Sequence, residues 1–243
     1  MRERVYLQYG KNPIIFVAPH GADDTHTISI AKEAANITDG FAVINQGFER
    51  SDQVDSDEDQ ANCNRVDHLQ DPVVHSEFLK PLLKFQEMAR KKIVGTNDFW
   101  GGNVSKRVMI YHIHGAGNSV HSQAGERVEV IVGYGLGKKK DSLTCTPWRV
   151  ALFVEGYRRV ADQGEVFEAG GGSPYAGRSS NNLNQYFRKH YNDALTDSLQ
   201  LEFPFSTRKS TRAAKLTAAK LAAVALEQLK AKSHGHRPTP KFI

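Results

Sequence analysis

The chain has 243 residues, 40% of them apolar and 24% charged, with a formal charge of +5 when the histidines are neutral. A chain of this size can bury roughly three quarters of its unfolded surface, so it is expected to build a full hydrophobic core. No apolar run approaches the ~18–20 residues of a membrane span, so no membrane association is expected. Two cysteines, Cys63 and Cys145, exclude a disulfide scaffold and point to a reducing compartment. The N-terminus enters a strand-like pattern with no apolar signal core, which makes the cytoplasm the expected location.

Residues 4–9 and 13–18 read as two short strands joined by a hairpin-like turn at Gly10-Lys11-Asn12. The second, IIFVA, is apolar throughout, as in a strand buried on both faces. A polar loop, PHGADDTHT, leads to a helix over about 25–37, with Asp23 or Asp24 available to cap it. Residues 41–45 form the next strand, followed by an acidic loop from Glu49 to Asp59. That loop lacks the glycine of an EF-hand turn and reads as solvated surface. A helix is expected over 74–91, then strands over 107–113 and 127–134 and a flexible basic loop over 135–141. Thr146 and Pro147 open a helix to about residue 161. A short strand at 165–168, a glycine run at 170–172, a helix over 179–192, a strand over 198–203 and an Ala/Leu-rich helix over 211–232 complete the pattern.

Strands alternating with helices predict a three-layer α/β/α sandwich with a mostly parallel mixed sheet. One domain over 1–232 is expected, with a flexible tail at 233–243. Beyond Ser206 there are nine basic residues and a single acid, Glu227, so the body is slightly acidic. Nucleic acid is therefore not an expected partner. The basic helix is expected to pack through Leu216, Leu221, Val224 and Leu229 with its lysines snorkelling.

Sites in such sheets lie at the carboxyl ends of the strands. His20 stands just past one buried strand and precedes Asp23 and Asp24; His112 and His114 end another. Alternation puts His112 and His114 on one face, with His114 expected to clear the sheet edge. Two imidazoles and one carboxylate on converging loops leave a fourth position open, the pattern of a catalytic zinc. Glu202 is an acid inside an apolar strand, facing away from Leu201 and Phe203. A buried carboxylate needs a reason, and acid–base work beside a cation is one. Asn64-Arg65 and Arg178 are candidates for holding an anionic group.

The order Pro19-His20-Gly21, Asn64-Arg65, Ile113-His114-Gly115, Gly171-Gly172-Ser173-Pro174-Tyr175 and Leu199-Gln200-Leu201-Glu202 resembles the N-formylglutamate amidohydrolases, relatives of zinc carboxypeptidases and aspartoacylases. The resemblance spans about residues 13–208. It implies one zinc ion on His20, Asp23 and His114, with Asp24 a rival and His26 a weaker one. It further implies Glu202 as the base that activates water, Arg65 for the oxyanion or a substrate carboxylate, Asn64 and Arg178 for substrate binding, and His112 beside the substrate or behind His114. The sequence departs from the family pattern at Asn62 and His112, where Asp is usual, and at Ala22. The expected substrate is an N-formyl or N-acyl amino acid or a short peptide. A carboxypeptidase or cell-wall amidase, and a non-enzymatic binding protein using the basic helix, are the alternatives.

Overall fold

The computed structural model describes residues 3–94, 107–117, 127–137, 143–162, 164–170, 172–190 and 195–231. The expected tail at 233–243, the centre of the basic loop and Gly171 lie outside the described residues. The strands are β1 (Val5–Gln8), β2 (Ile14–Ala18), β3 (Phe41–Asn45), β4 (Val108–Ala116), β5 (Val128–Gly133), β6 (Glu165–Glu168) and β7 (Thr196–Pro204). They form one mixed sheet in the order β1-β3-β2-β4-β7-β5-β6. The centre, β3-β2-β4-β7, is parallel, while β1 and β5 run antiparallel to β3 and β7.

Helices α1 (Thr27–Thr38), α3 (Pro147–Val160) and α5 (Thr211–Lys230) cover one face. Ile30, Phe153, Tyr157, Leu221 and Val224 meet Phe16, Tyr111 and Leu201 there. On the other face α2 (Lys80–Val94) and α4 (Leu183–His190) bring Leu82, Phe85, Leu183 and Phe187 against Val17, Val43 and Ile110. Each such side chain contributes about 1.5–3 kcal/mol by leaving water, which is why the all-apolar strands settle at the centre. The expected α/β/α sandwich is the fold observed. No described helix is long and apolar enough to cross a membrane.

Several local expectations are corrected. β1 and β2 do not form a hairpin: β1 pairs with β3. Residues 10–12 turn back over the end of α1, where Lys11 and Asn12 donate to Asp39 O at 2.7 and 2.9 Å. Neither Asp23 nor Asp24 caps α1; its N-cap is His26, in the left-handed region at φ 64°, with no side-chain cap. The helix expected over 74–91 starts at Pro72 and passes through a π-turn, His75–Leu79, before α2. α4 begins at Leu183, because Asn182 turns its side chain onto the Asn184 N–H at 2.7 Å. β4 runs three residues beyond the expected end, so His114 stays inside the sheet. On α5, Leu216 is exposed, and Lys220 is buried in an ion pair with Glu129 at 3.2 Å instead of snorkelling.

One buried charge ties β7 to both flanking segments. Asp197 pairs with Arg107 and, at 3.5 Å, with Arg149, and accepts the Thr146 N–H at 2.8 Å. Removing one partner of a buried pair leaves charge uncompensated. Asp197→Ala should lower unfolding free energy by about 3–5 kcal/mol in a urea titration.

Candidate metal centre

β2 ends at Ala18, and the chain turns at Pro19-His20. The His20 carbonyl accepts the N–H groups of Asp23 and Asp24 at 3.0 and 2.7 Å, a turn that sends the two carboxylates apart. Asp23 accepts the Arg50 N–H at 3.0 Å. Asp24 reaches inward: its Oδ2 accepts the Gly115 N–H at 2.9 Å and lies 3.8 Å from His20 Nδ1. Nδ1 of His114 faces Nδ1 of His20 at 3.3 Å. One ligand atom from each of His20, Asp24 and His114 thus falls within 4.8 Å of the others. The third member of the cluster is therefore Asp24, where Asp23 was expected.

Nitrogen donors about 2.0–2.1 Å from a four-coordinate cation stand about 3.3–3.4 Å apart, so the two Nδ1 atoms are spaced to share one. Burial holds both imidazoles below their usual range, with His20 further lowering His114. Both are neutral near pH 7, the form a metal ligand needs. His114 Nε2 is buried without a partner among the described residues, and His20 Nε2 lies 2.8 Å from Asn62 Oδ1. The residues present fit a divalent cation.

Glu202 is the register partner of His114 in the parallel ladder, and only 7% of its surface is exposed. It sits on a central strand, so neither an edge position nor a solvated one explains it. Burial pushes its carboxyl up to about 7, against the hydrogen bond from Gln200 and with the Asp24 charge adding to the rise. Gln200 Nε2 donates to Glu202 Oε1 at 2.9 Å, and Asn182 Nδ2 donates to Gln200 Oε1 at 3.0 Å. This line ends at a cavity of about 380 Å³ lined by Arg178, Ser173 and Asn182. Sequence reasoning quoted Gln200 only as part of a motif and did not mark Asn182; their signal is period-two polarity (Ser198, Gln200, Glu202) along an otherwise apolar strand.

Arg178 is exposed and lines that cavity. Arg65 is turned away: Nε donates to Asp67 at 3.1 Å and Nη1 to Asp52 O at 3.3 Å. Asn64 joins the acidic-loop segment to α4 through its carbonyl, which accepts the Leu183 N–H at 2.9 Å, and its Oδ1 is buried without a partner among the described residues. His112 is fully buried, with Nε2 on Ser198 Oγ at 2.9 Å, and burial drives its pKa down to about 3. It lies in the core beneath the centre. His26 belongs to the start of α1.

No family model matches the chain, and no curated protein matches its sequence. Solved structures do match. An N-formylglutamate amidohydrolase from Ralstonia eutropha superposes with a TM-score of 0.56 at 13% identity, covering 94% of this chain and 98% of that one. A bacteriophage poly-gamma-glutamate hydrolase gives 0.51 at 11% identity over 92% and 87%. A putative carboxypeptidase A from Shewanella denitrificans gives 0.53 at 11% identity over 93% of this chain and 60% of the other. The chain therefore has the fold shared by these hydrolases.

Glu202 makes the metal-free protein pH-sensitive. A carboxyl raised in the folded state stabilises below its unfolded pKa, and that stability is lost as pH rises through about 4.5 to 7. Metal-free Glu202→Gln should match wild type near pH 4.5 and exceed it by about 3 kcal/mol above pH 8, in parallel denaturant titrations.

Proposed function

We propose that the chain hydrolyses a linear amide with the help of one zinc ion, acting on an N-formyl or N-acyl amino acid or a short peptide. The observation that carries this reading is the meeting of His20, Asp24 and His114 beside the buried acid Glu202. Two neutral imidazoles and one carboxylate suit zinc better than calcium or magnesium, which prefer oxygen. Bound by these three residues, zinc would lower the pKa of water towards 7 and polarise the scissile carbonyl.

Glu202 is the general base. Its Oε1 is held by Gln200, and Oε2 has no protein partner among the described residues, so Oε2 takes the proton from the attacking water and returns it to the leaving amine. Arg178 is assigned the substrate's anionic group, because it is exposed and lines the adjoining cavity. Arg65 stays with Asp67 and is assigned no oxyanion. His112, sealed against Ser198, supports β4 and touches no substrate. The named activities of the structural neighbours, amidohydrolase and carboxypeptidase, support amide chemistry on this fold.

Metal analysis of protein purified without chelator should give about one zinc per chain; less than about a tenth, with no ion restoring hydrolysis, sinks the reading. Glu202→Gln should keep its zinc and lose about 10²–10⁴-fold in kcat on formyl- and acetyl-amino acids. Asp24→Ala should weaken zinc binding by about ten-fold or more, whereas Asp23→Ala should leave it within about two-fold, read by competition with a chromogenic chelator.

A further inference from the structure

We propose that Asn62 is a positioning residue: its amide oxygen fixes the proton of His20 on Nε2 and presents the Nδ1 lone pair to the centre, while its lack of charge keeps the hold on the ion moderate. Asn62 Oδ1 accepts the backbone N–H of Asn64 at 3.0 Å, which identifies that atom as oxygen. His20 Nε2, 2.8 Å from the same atom, must therefore be the donor. A neutral imidazole carries one N–H, so Nδ1, the atom facing His114 and Asp24, is left with its electron pair. Asn62 is pinned in turn: its own N–H donates to Nδ1 of the buried His68 at 3.0 Å.

A carboxylate in this place would enrich the imidazole as a donor, and outer partners of this kind change metal affinity about 10–100-fold. Asn62 Nδ2 has no partner among the described residues, so exchange to Asp sacrifices no hydrogen bond. The consequence for affinity rests on the metal-hydrolase reading; the position of the proton belongs to the metal-free protein and does not.

Two readouts test this on the full chain. Nitrogen NMR of the His20 ring in metal-free protein should show a single Nε2–H tautomer in wild type and a mixture in Asn62→Leu. Zinc alone, titrated in competition with a chromogenic chelator, should bind Asn62→Asp about ten-fold or more tightly than wild type, and Asn62→Leu more weakly by a like factor. A His20 proton on Nδ1 in wild type overturns the assignment. So does an Asn62→Asp protein that melts like wild type yet binds zinc no more tightly. If wild type takes no zinc, the hydrolase reading falls and the tautomer alone decides the role of Asn62. If Asn62→Leu fails to fold, the wild-type spectrum and Asn62→Asp decide it.

Discussion

His114 lies opposite Glu202 because β4 and β7 pair in parallel without a break, from Val108↔Thr196 to Ala116↔Pro204. Side chains alternate along a strand, so this register sends Ile110, His112 and His114 to one face together with Ser198, Gln200 and Glu202. Tyr111, Ile113, Leu199, Leu201 and Phe203 go to the other and join its apolar core. A slip of one residue would bury the acid among those side chains and turn leucine towards the centre. The ladder thus fixes the imidazole and the acid in one step, and the large apolar face behind it locks the register.

Carrying polar groups into a sheet interior has a cost that the fold offsets by pairing many of them. His112 bonds Ser198, Ser198 bonds Asn184, and Asn184 Nδ2 donates to Thr144 at 2.9 Å, all beneath α4. Further along, Gln86 bonds Thr196 at 3.0 Å. A buried polar group left unpaired costs about 1–3 kcal/mol. Among the described residues, His114 Nε2, His112 Nδ1 and Asn64 Oδ1 are buried without a hydrogen-bond partner, and so are Gln86 Oε1 and the Tyr157 hydroxyl elsewhere in the core.

The architecture was legible in the sequence because it follows from periodicity. IIFVA reads as a strand buried on both faces and FAVIN as a strand, and both are strands, IIFVA buried throughout. His20, His114 and Glu202 could be singled out because each is polar where its neighbours are apolar. The choice between Asp23 and Asp24 could not be read locally. It is made by the Gly115 N–H on β4, 91 positions away, which captures Asp24, and by Arg50, whose N–H captures Asp23. The same two captures remove both acids from capping α1. Arg65 is the opposite case: Asp67, two residues on, was a visible partner and holds it. The absent hairpin at 10–12 is also a long-range effect, since β3 offers β1 an open edge that β2, already flanked by β3 and β4, does not.

Arg208 shows how the centre receives positive charge without losing its acids. Its guanidinium donates to three carbonyls, Phe203 at 2.9 Å, Thr25 at 2.7 Å and Ala116 at 3.1 Å. It fits only because residue 115 is glycine; a Cβ there would lie 2.5 Å from Arg208 Cζ. Burial lowers its pKa, while Asp24 and then Glu202 act to raise it, so its field reaches both carboxylates. Neither is hydrogen-bonded to it. A guanidinium free to rotate would form a bidentate pair with one of them and hold it ionised and occupied. Pinned on backbone oxygens, Arg208 instead offsets part of the repulsion between Glu202 and the half-buried Asp24 and leaves Asp24 Oδ2 facing His20 and, among the described residues, Glu202 Oε2 without a protein partner. The close approach at Gly115 therefore lets a fixed cation sit behind the cluster while the acids keep the oxygens that ion and water would use.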